Sequence, residues 1–193
     1  MATSSINLAN MVTLGRVILV PVIFWLLLVG ATKAAFIAFF VAGISDAVDG
    51  FLAKRFGMKT ELGAYLDPLA DKLLIVSVYL ALGFAAHLPS WLVIAVVSRD
   101  ILIVLGIVIA WMMGQVVTIK PLGISKANTA AQILLASTVL ADLGFSLGLE
   151  DVRTVLVWST ALLTVLSLAA YLGQWLALVA SSNSLSPPSD GGT

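Results

Sequence analysis

The sequence predicts an all-α, polytopic membrane protein, with six transmembrane helices preceded by a short interfacial helix. Three observations carry that expectation. Mean hydropathy is +1.11. Hydrophobic residues fill 61% of 193 positions and charged ones only 10%. Six long, mainly apolar segments separated by polar breaks are each long enough for a helix to cross a bilayer, which takes about 20 residues. One membrane domain over residues 1–180 and a tail over 181–193 account for the chain, and the tail has the Ser/Pro/Gly composition of a disordered terminus. A formal net charge of zero gives no basis for nucleic-acid binding. With no cysteine there is no disulfide framework.

Taken in order, residues 1–8 are polar and interfacial, and Asn7–Gly15 reads as a short surface helix leading into span one, about Met11–Gly30. Arg16 either snorkels to the interface or serves as a ligand. Its charge comes too late for a cleaved leader, so the apolar run that follows belongs to a span. Pro21 should bend this helix. Span two, about Ala34–Arg55, and span three, about Glu61–Ala86, are joined by a turn with two cations and a glycine, Arg55-Phe56-Gly57-Met58-Lys59. Pro68 removes one N–H from span three and predicts a kink there. His87 and Pro89 mark a surface loop. Span four, about Ser90–Met113, buries Arg99 and Asp100, which either tie neighbouring helices together or, through Arg99, hold an anionic head group. After a linker with Lys120-Pro121, span five (about Ser125–Leu143) carries a polar stripe, Ser125, Asn128 and Gln132, with Lys126 at the membrane surface. Span six, about Val152–Val179, follows a loop with Glu150, Asp151 and Arg153.

The chemistry concentrates in residues 46–71, DAVDGFLAKRFGMKTELGAYLDPLAD. Carboxylates at membrane depth are costly, so each is a functional-site hypothesis. Asp46 and Asp49 share one helical arc with Gly50 and Ala53, and Gly63, Asp67 and Asp71 form a stripe at i, i+4, i+8 on the next helix. Two helices joined by a short turn can aim all four carboxylates at one point. Such a cluster must protonate or bind a cation. Hard oxygen donors suit Mg²⁺ or Mn²⁺, and with no Cys and one His there is no donor set for zinc or copper. Two ions could clamp a phosphoryl group between attacking and leaving oxygens. The small residues Gly50, Ala53 and Gly63 leave room for a ligand or a close helix contact. Against this stands the plainer reading of such pairs as structural hydrogen-bonding partners or steps in an ion pathway.

Written as a pattern, the stretch is D-x2-D-G-x2-A-K-x8-G-x3-D-x3-D. It resembles the signature of the CDP-alcohol phosphotransferases, integral membrane enzymes of phospholipid synthesis, with one departure: Lys54 stands where that family usually has Arg. Lysine keeps the charge but loses the bidentate fork. The resemblance implies that Asp46, Asp49 and Asp67 are metal ligands and that Asp71 is a ligand or the catalytic general base. It also implies that Asp46, Asp49, Gly50, Ala53, Lys54, Gly63 and Asp67 form the CDP-binding site. For the acceptor or its head group the candidates are Arg16, Lys72, Arg99, Lys120, Lys126 and Asn128, Lys72 having charge balance as its alternative role.

The segments D-P-L-A-D-K-L-L, S-R-D-I-L-I and K-P-x3-S-K-x-N-T-A-x-Q look most like the cardiolipin synthase branch of that family. That likeness implies transfer of a phosphatidyl group from CDP-diacylglycerol to phosphatidylglycerol, with release of CMP. The alternative is a phosphatidylglycerophosphate synthase using glycerol 3-phosphate, a soluble dianion that should want more cationic partners than the single Arg99 of span four offers. A cation transporter is the non-enzyme alternative, disfavoured because no internal repeat is evident. Arg16, Lys54, Arg55, Lys59, Lys120 and Lys126 fall on the side of the N-terminus, and Lys33 and Arg153 on the other. That bias orients both termini and the carboxylates to the cytoplasm. The resemblance further implies a homodimer.

Overall fold

The computed structural model describes the backbone of residues 3–56, 61–112 and 123–183, with side chains for residues 15, 17–45, 72–105, 123–174 and 176. Among the described residues it is all-helical: α1 (Thr3–Leu28), α2 (Thr32–Phe56), α3 (Glu61–Phe84), α4 (Ser90–Met112), α5 (Gly123–Phe145) and α6 (Glu150–Asn183). The helices match the expected spans except at the two ends of the chain. The separate surface helix expected over Asn7–Gly15 is not a separate element, because α1 runs unbroken from Thr3 through Pro21. Nothing between Asn7 and Gly15 interrupts the helical path, and extending a helix costs less than nucleating a second one. At the other end, α6 continues to Asn183, so the first three residues of the expected tail are helical; 184–193 lie outside the described residues.

Three short turns close the hairpins. After α1 the chain reverses at Gly30 (φ 74°), and the Ala31 amide donates back to the Leu26 carbonyl at 2.9 Å. After α3 the same left-handed seat is taken by Ala86 (φ 56°), with the His87 amide donating to the Leu82 carbonyl at 2.8 Å. Both closures satisfy carbonyls that a helix end leaves without partners. After α5, Asp142 accepts through its backbone from the Ser146 amide (2.8 Å) and through its carboxylate from the Leu149 amide (3.1 Å). The hydroxyl of Thr32, at the start of α2, donates to the Leu143 carbonyl near the end of α5 at 3.0 Å. A pocket lined from both the α3–α4 turn and the first turns of α6 brings the third turn to the same place. All three turns therefore gather at one end of the bundle.

Around the bundle α1 packs on α2 and α3, α2 on α5, α5 on α6, α6 on α4 and α4 on α3, closing a ring, and α3 also touches α5 across it. In the described contacts α2 and α3 are linked through α1 and α5 rather than directly. Ile23, Phe39, Val78, Tyr79, Leu82, Leu92, Val96, Leu135 and Leu140 fill the interior.

The distribution of polarity runs opposite to that of a water-soluble bundle. Arg99, Asp100, Asn128, Gln132, Thr160, Thr164 and Ser167 are buried, whereas Trp25, Phe40, Ile94, Leu134, Trp158, Leu162 and Leu176 are exposed. A perimeter this apolar is larger than soluble monomers ordinarily present. Among the described residues one stretch, Glu150–Gln174 in α6, is long and apolar enough by itself to cross a membrane. Val17–Leu28, Thr32–Ser45 and Lys72–Phe84 are shorter apolar stretches.

A close backbone approach between α5 and α2 depends on Gly144. A Cβ there would lie 3.3 Å from the Lys33 Cα, with backbone on the far side rather than a yielding side chain. We therefore expect Gly144→Val to push α2 from α5 and lower stability by about 1–3 kcal/mol. Thermal unfolding of the purified chain in mild detergent reads this directly, and an unchanged midpoint would mean that the α2/α5 contact is looser than described.

Candidate active site

The backbone places the acidic motif in the half of the bundle away from the three turns. Asp46 on α2 and Asp71 on α3 each lie about 20 Å along their helices from that turn-bearing end. The side chains of Asp46, Asp49, Gly50, Ala53 and Lys54 on α2, of Gly63, Asp67 and Asp71 on α3, and of Arg16 on α1 lie outside the described residues, as does the whole of Lys120. Among the described residues no group of three or more His, Cys, Asp or Glu could hold a metal. The chemistry of the motif's own donors, four carboxylates on two helices consecutive in the chain, fits a hard divalent cation.

What is described is the wall on which the motif rests. Lys72, immediately after Asp71, reaches from α3 to α4 and donates to Asp100 Oδ1 at 2.8 Å. Arg99 Nη1 donates to the same oxygen at 2.6 Å. Its Nη2 donates to Ser125 Oγ on α5 and to Ser167 Oγ on α6, each at 2.5 Å. The guanidinium also lies 5.7 Å from the Tyr171 ring centre, within cation–π range. One carboxylate and one guanidinium thus join four helices. Arg99 is 1% exposed, with both Nη atoms engaged by protein groups, while its Nε and Asp100 Oδ2 have no hydrogen-bond partner among the described residues.

Asn128 and Gln132 of the α5 stripe are buried one and two turns along the helix from Ser125. Asn128 Oδ1 accepts from Thr164 Oγ1 at 3.0 Å, and the Gln132 carbonyl accepts from the Tyr79 hydroxyl at 3.1 Å. These contacts tie α5 to α6 and to α3. The Asn128 amide nitrogen and both polar side-chain atoms of Gln132 are unpartnered among the described residues. Lys126 is exposed, at the surface as its sequence position suggests.

Sequence reasoning passed over the matching stripe on α6. Thr160, Thr164, Ser167 and Tyr171 recur at i, i+4, i+7, i+11, one helical face, and Thr164, Ser167 and Tyr171 contact residues that the α4 and α5 readings had singled out. The period test applied to α5 finds them equally well.

Removing Arg99 strands a buried carboxylate and two hydroxyls. Arg99→Leu should lower stability by about 3–5 kcal/mol, measured as thermal unfolding in detergent. Arg99→Lys should recover only part of it, because one ammonium lacks the planar fork that reaches Asp100, Ser125 and Ser167 together. Wild-type stability in Arg99→Leu would show that the cluster is not holding the helices.

Comparison with known proteins adds an independent line. The family model described as CDP-alcohol phosphatidyltransferase matches residues 6–166. A CDP-diacylglycerol–glycerol-3-phosphate 3-phosphatidyltransferase of Bacillus subtilis is 34% identical over 91% of this chain and 99% of its own length. The chloroplastic protein of that description from Oryza sativa is 37% identical over 86% of this chain, which spans 56% of the relative. A cardiolipin synthase (CMP-forming) of Rattus norvegicus is 32% identical over 88% of this chain and 63% of its own length. The match takes in the acidic motif and the helices that carry Lys72, Arg99 and Asn128, and the chain belongs to the CDP-alcohol phosphatidyltransferase family.

Proposed function

We propose that this chain is a polytopic membrane enzyme that transfers a phosphatidyl group from CDP-diacylglycerol to phosphatidylglycerol, forming cardiolipin and CMP. Family membership and the acidic motif, kept at every fixed position but Lys54, support the transferase chemistry. The apolar perimeter around a polar interior supports the membrane setting, with six spans and the acidic half toward the cytoplasm.

The observation that carries the choice of acceptor is the commitment of the cations in the described wall. Lys72 is paired with Asp100, and both Nη atoms of Arg99 are engaged by Asp100, Ser125 and Ser167. Both cations already share the negative charge of Asp100, which leaves them less net positive charge to offer a soluble phosphate dianion such as glycerol 3-phosphate. A lipid acceptor, positioned largely by its acyl chains, asks less of them. The second reading, glycerol 3-phosphate as acceptor, is favoured by the names of the relatives from B. subtilis and O. sativa.

In this reading Asp46, Asp49, Asp67 and Asp71 hold the divalent ions, Mg²⁺ or Mn²⁺. When bound, these ions supply charge neutralisation at the diphosphate. Gly50, Ala53 and Gly63 make room for the cytidine phosphate, and Lys54 lies against its charge. Asp71 accepts the proton of the acceptor hydroxyl as that oxygen attacks the phosphorus bearing the diacylglycerol. The bond from phosphorus to the bridging oxygen breaks, and CMP carries away the electron pair. Lys72, pinned to Asp100, fixes the turn of α3 on which Asp71 sits.

The purified chain, given labelled CDP-diacylglycerol and Mg²⁺ or Mn²⁺, should release CMP with phosphatidylglycerol at least about tenfold faster than with glycerol 3-phosphate, a difference of roughly 1.4 kcal/mol in barrier. The reverse order would select the second reading, and turnover with neither would end the enzyme assignment. Chelation by EDTA should stop the reaction and excess Mg²⁺ restore it; full activity in EDTA would remove the metal from the scheme. Asp71→Asn should abolish CMP release while leaving the thermal midpoint within a few degrees, and retained turnover would exclude Asp71 as the base.

A further inference from the structure

A second site lies at the opposite end of the bundle from the acidic motif. The α3–α4 turn and the first turns of α6 border an open pocket of about 550 Å³, lined by His87, Ser90, Trp91, Arg153, Val157 and Trp158 among others. That volume falls within the range of about 300–1,000 Å³ typical of small-molecule sites. Its polar lining is one-sided. His87 and Arg153 bring an imidazole and a guanidinium with no acidic partner among the described residues, and the first amides of α4, at Ser90 and Trp91, add the positive end of a helix. Glu150 and Asp151, on the first turn of α6, are exposed and do not line the pocket.

The apolar side of the pocket continues onto the outer surface. Trp91 and Trp158 pack with ring centres 5.5 Å apart, yet they remain 47% and 66% exposed. Beside them Val155 on α6, and further from the turn Ile94 on α4 and Leu162 on α6, are at least 60% exposed. Tryptophans take that position at the boundary between head groups and acyl chains. A cationic mouth thus opens onto an apolar track along α4 and α6, the complement of a molecule with an anionic head and an apolar tail.

We propose that this pocket binds the phosphodiester head group of an anionic phospholipid from the leaflet opposite the active site, with an acyl chain running down the α4/α6 face. Arg153 and His87 hold the phosphate oxygens, and the Trp91–Trp158 pair flanks the glycerol. The proposal rests on the membrane reading above but uses none of the residues assigned to catalysis.

Native mass spectrometry of the full chain in neutral detergent tests it, with dioleoyl-phosphatidylserine as probe, since its head group is neither acceptor nor product of the proposed reaction. Wild type should retain one phosphatidylserine at a concentration where dioleoyl-phosphatidylcholine is lost. The double variant His87→Gln/Arg153→Gln should lower that occupancy at least about fivefold, and Arg153→Lys should retain most of it. Lys33→Gln, which removes a cation at the same end but outside the pocket, should leave occupancy unchanged. Equal retention of phosphatidylcholine, an equal loss in Lys33→Gln, no loss in the double variant, or displacement by equimolar glycerophosphoserine would each overturn the proposal, the last by showing that a soluble anion suffices. CMP release by the same wild-type preparation reports separately on the catalytic reading.

Discussion

The bundle depends on one shared carboxylate oxygen. Asp100 Oδ1 accepts from both Lys72 and Arg99, and the other arm of Arg99 reaches α5 and α6. Helices in an apolar surrounding gain little from hiding apolar side chains from one another, because the medium outside is equally apolar. Packing and polar contacts must then decide which helix sits beside which. A buried charge is tolerable only where another charge meets it, so this cluster permits one arrangement of α3, α4, α5 and α6 and penalises those in which any of the four is displaced.

The same constraint bears on catalysis through adjacency. Lys72 follows Asp71 in the chain, and the ion pair that anchors Lys72 on α4 restrains the helical turn that carries the proposed base. Asn128 with Thr164 and Tyr79 with Gln132 add neutral links one and two turns further toward the turn-bearing end. Rigid support from residues that never touch substrate is what a displacement reaction needs, since loss of alignment by an ångström is costly in rate. The wall is polar where it borders the acidic half and apolar toward the turns, where Val78, Leu82, Leu92 and Leu140 pack.

The helices were legible because their signal is compositional. Long apolar runs broken by Gly30, by His87-Leu88-Pro89 and by the Ser146–Leu149 stretch leave few choices of boundary, and five of the six helices fall within a few residues of expectation. The exception, the N-terminal surface helix, failed because a change from polar to apolar composition signals a change of surroundings and not a break in the backbone. The acidic motif was legible because its spacing is fixed. Who pairs with whom was not. Ser167 meets Arg99 across 68 positions of sequence, and Lys72 meets Asp100 only because α3 and α4 turn back on each other at Ala86. The sequence left Arg99 open between head-group ligand and helix tie; its full set of protein partners is a property of assembly that no single helix carries.

In the membrane reading proposed above, the α3–α4 turn has a consequence for how such a chain enters a bilayer. It holds Lys72 and Asp100 on two arms of one hairpin, with both arms nearly equal in length from the turn to the charges. Opposite charges so placed can neutralise each other within the hairpin before any other helix arrives, so part of the obstacle to partitioning is removed during biosynthesis and not only in the finished fold. The hairpin still carries the carboxylates of Asp67 and Asp71, and the second arm of Arg99 meets its hydroxyls only when α5 and α6 arrive.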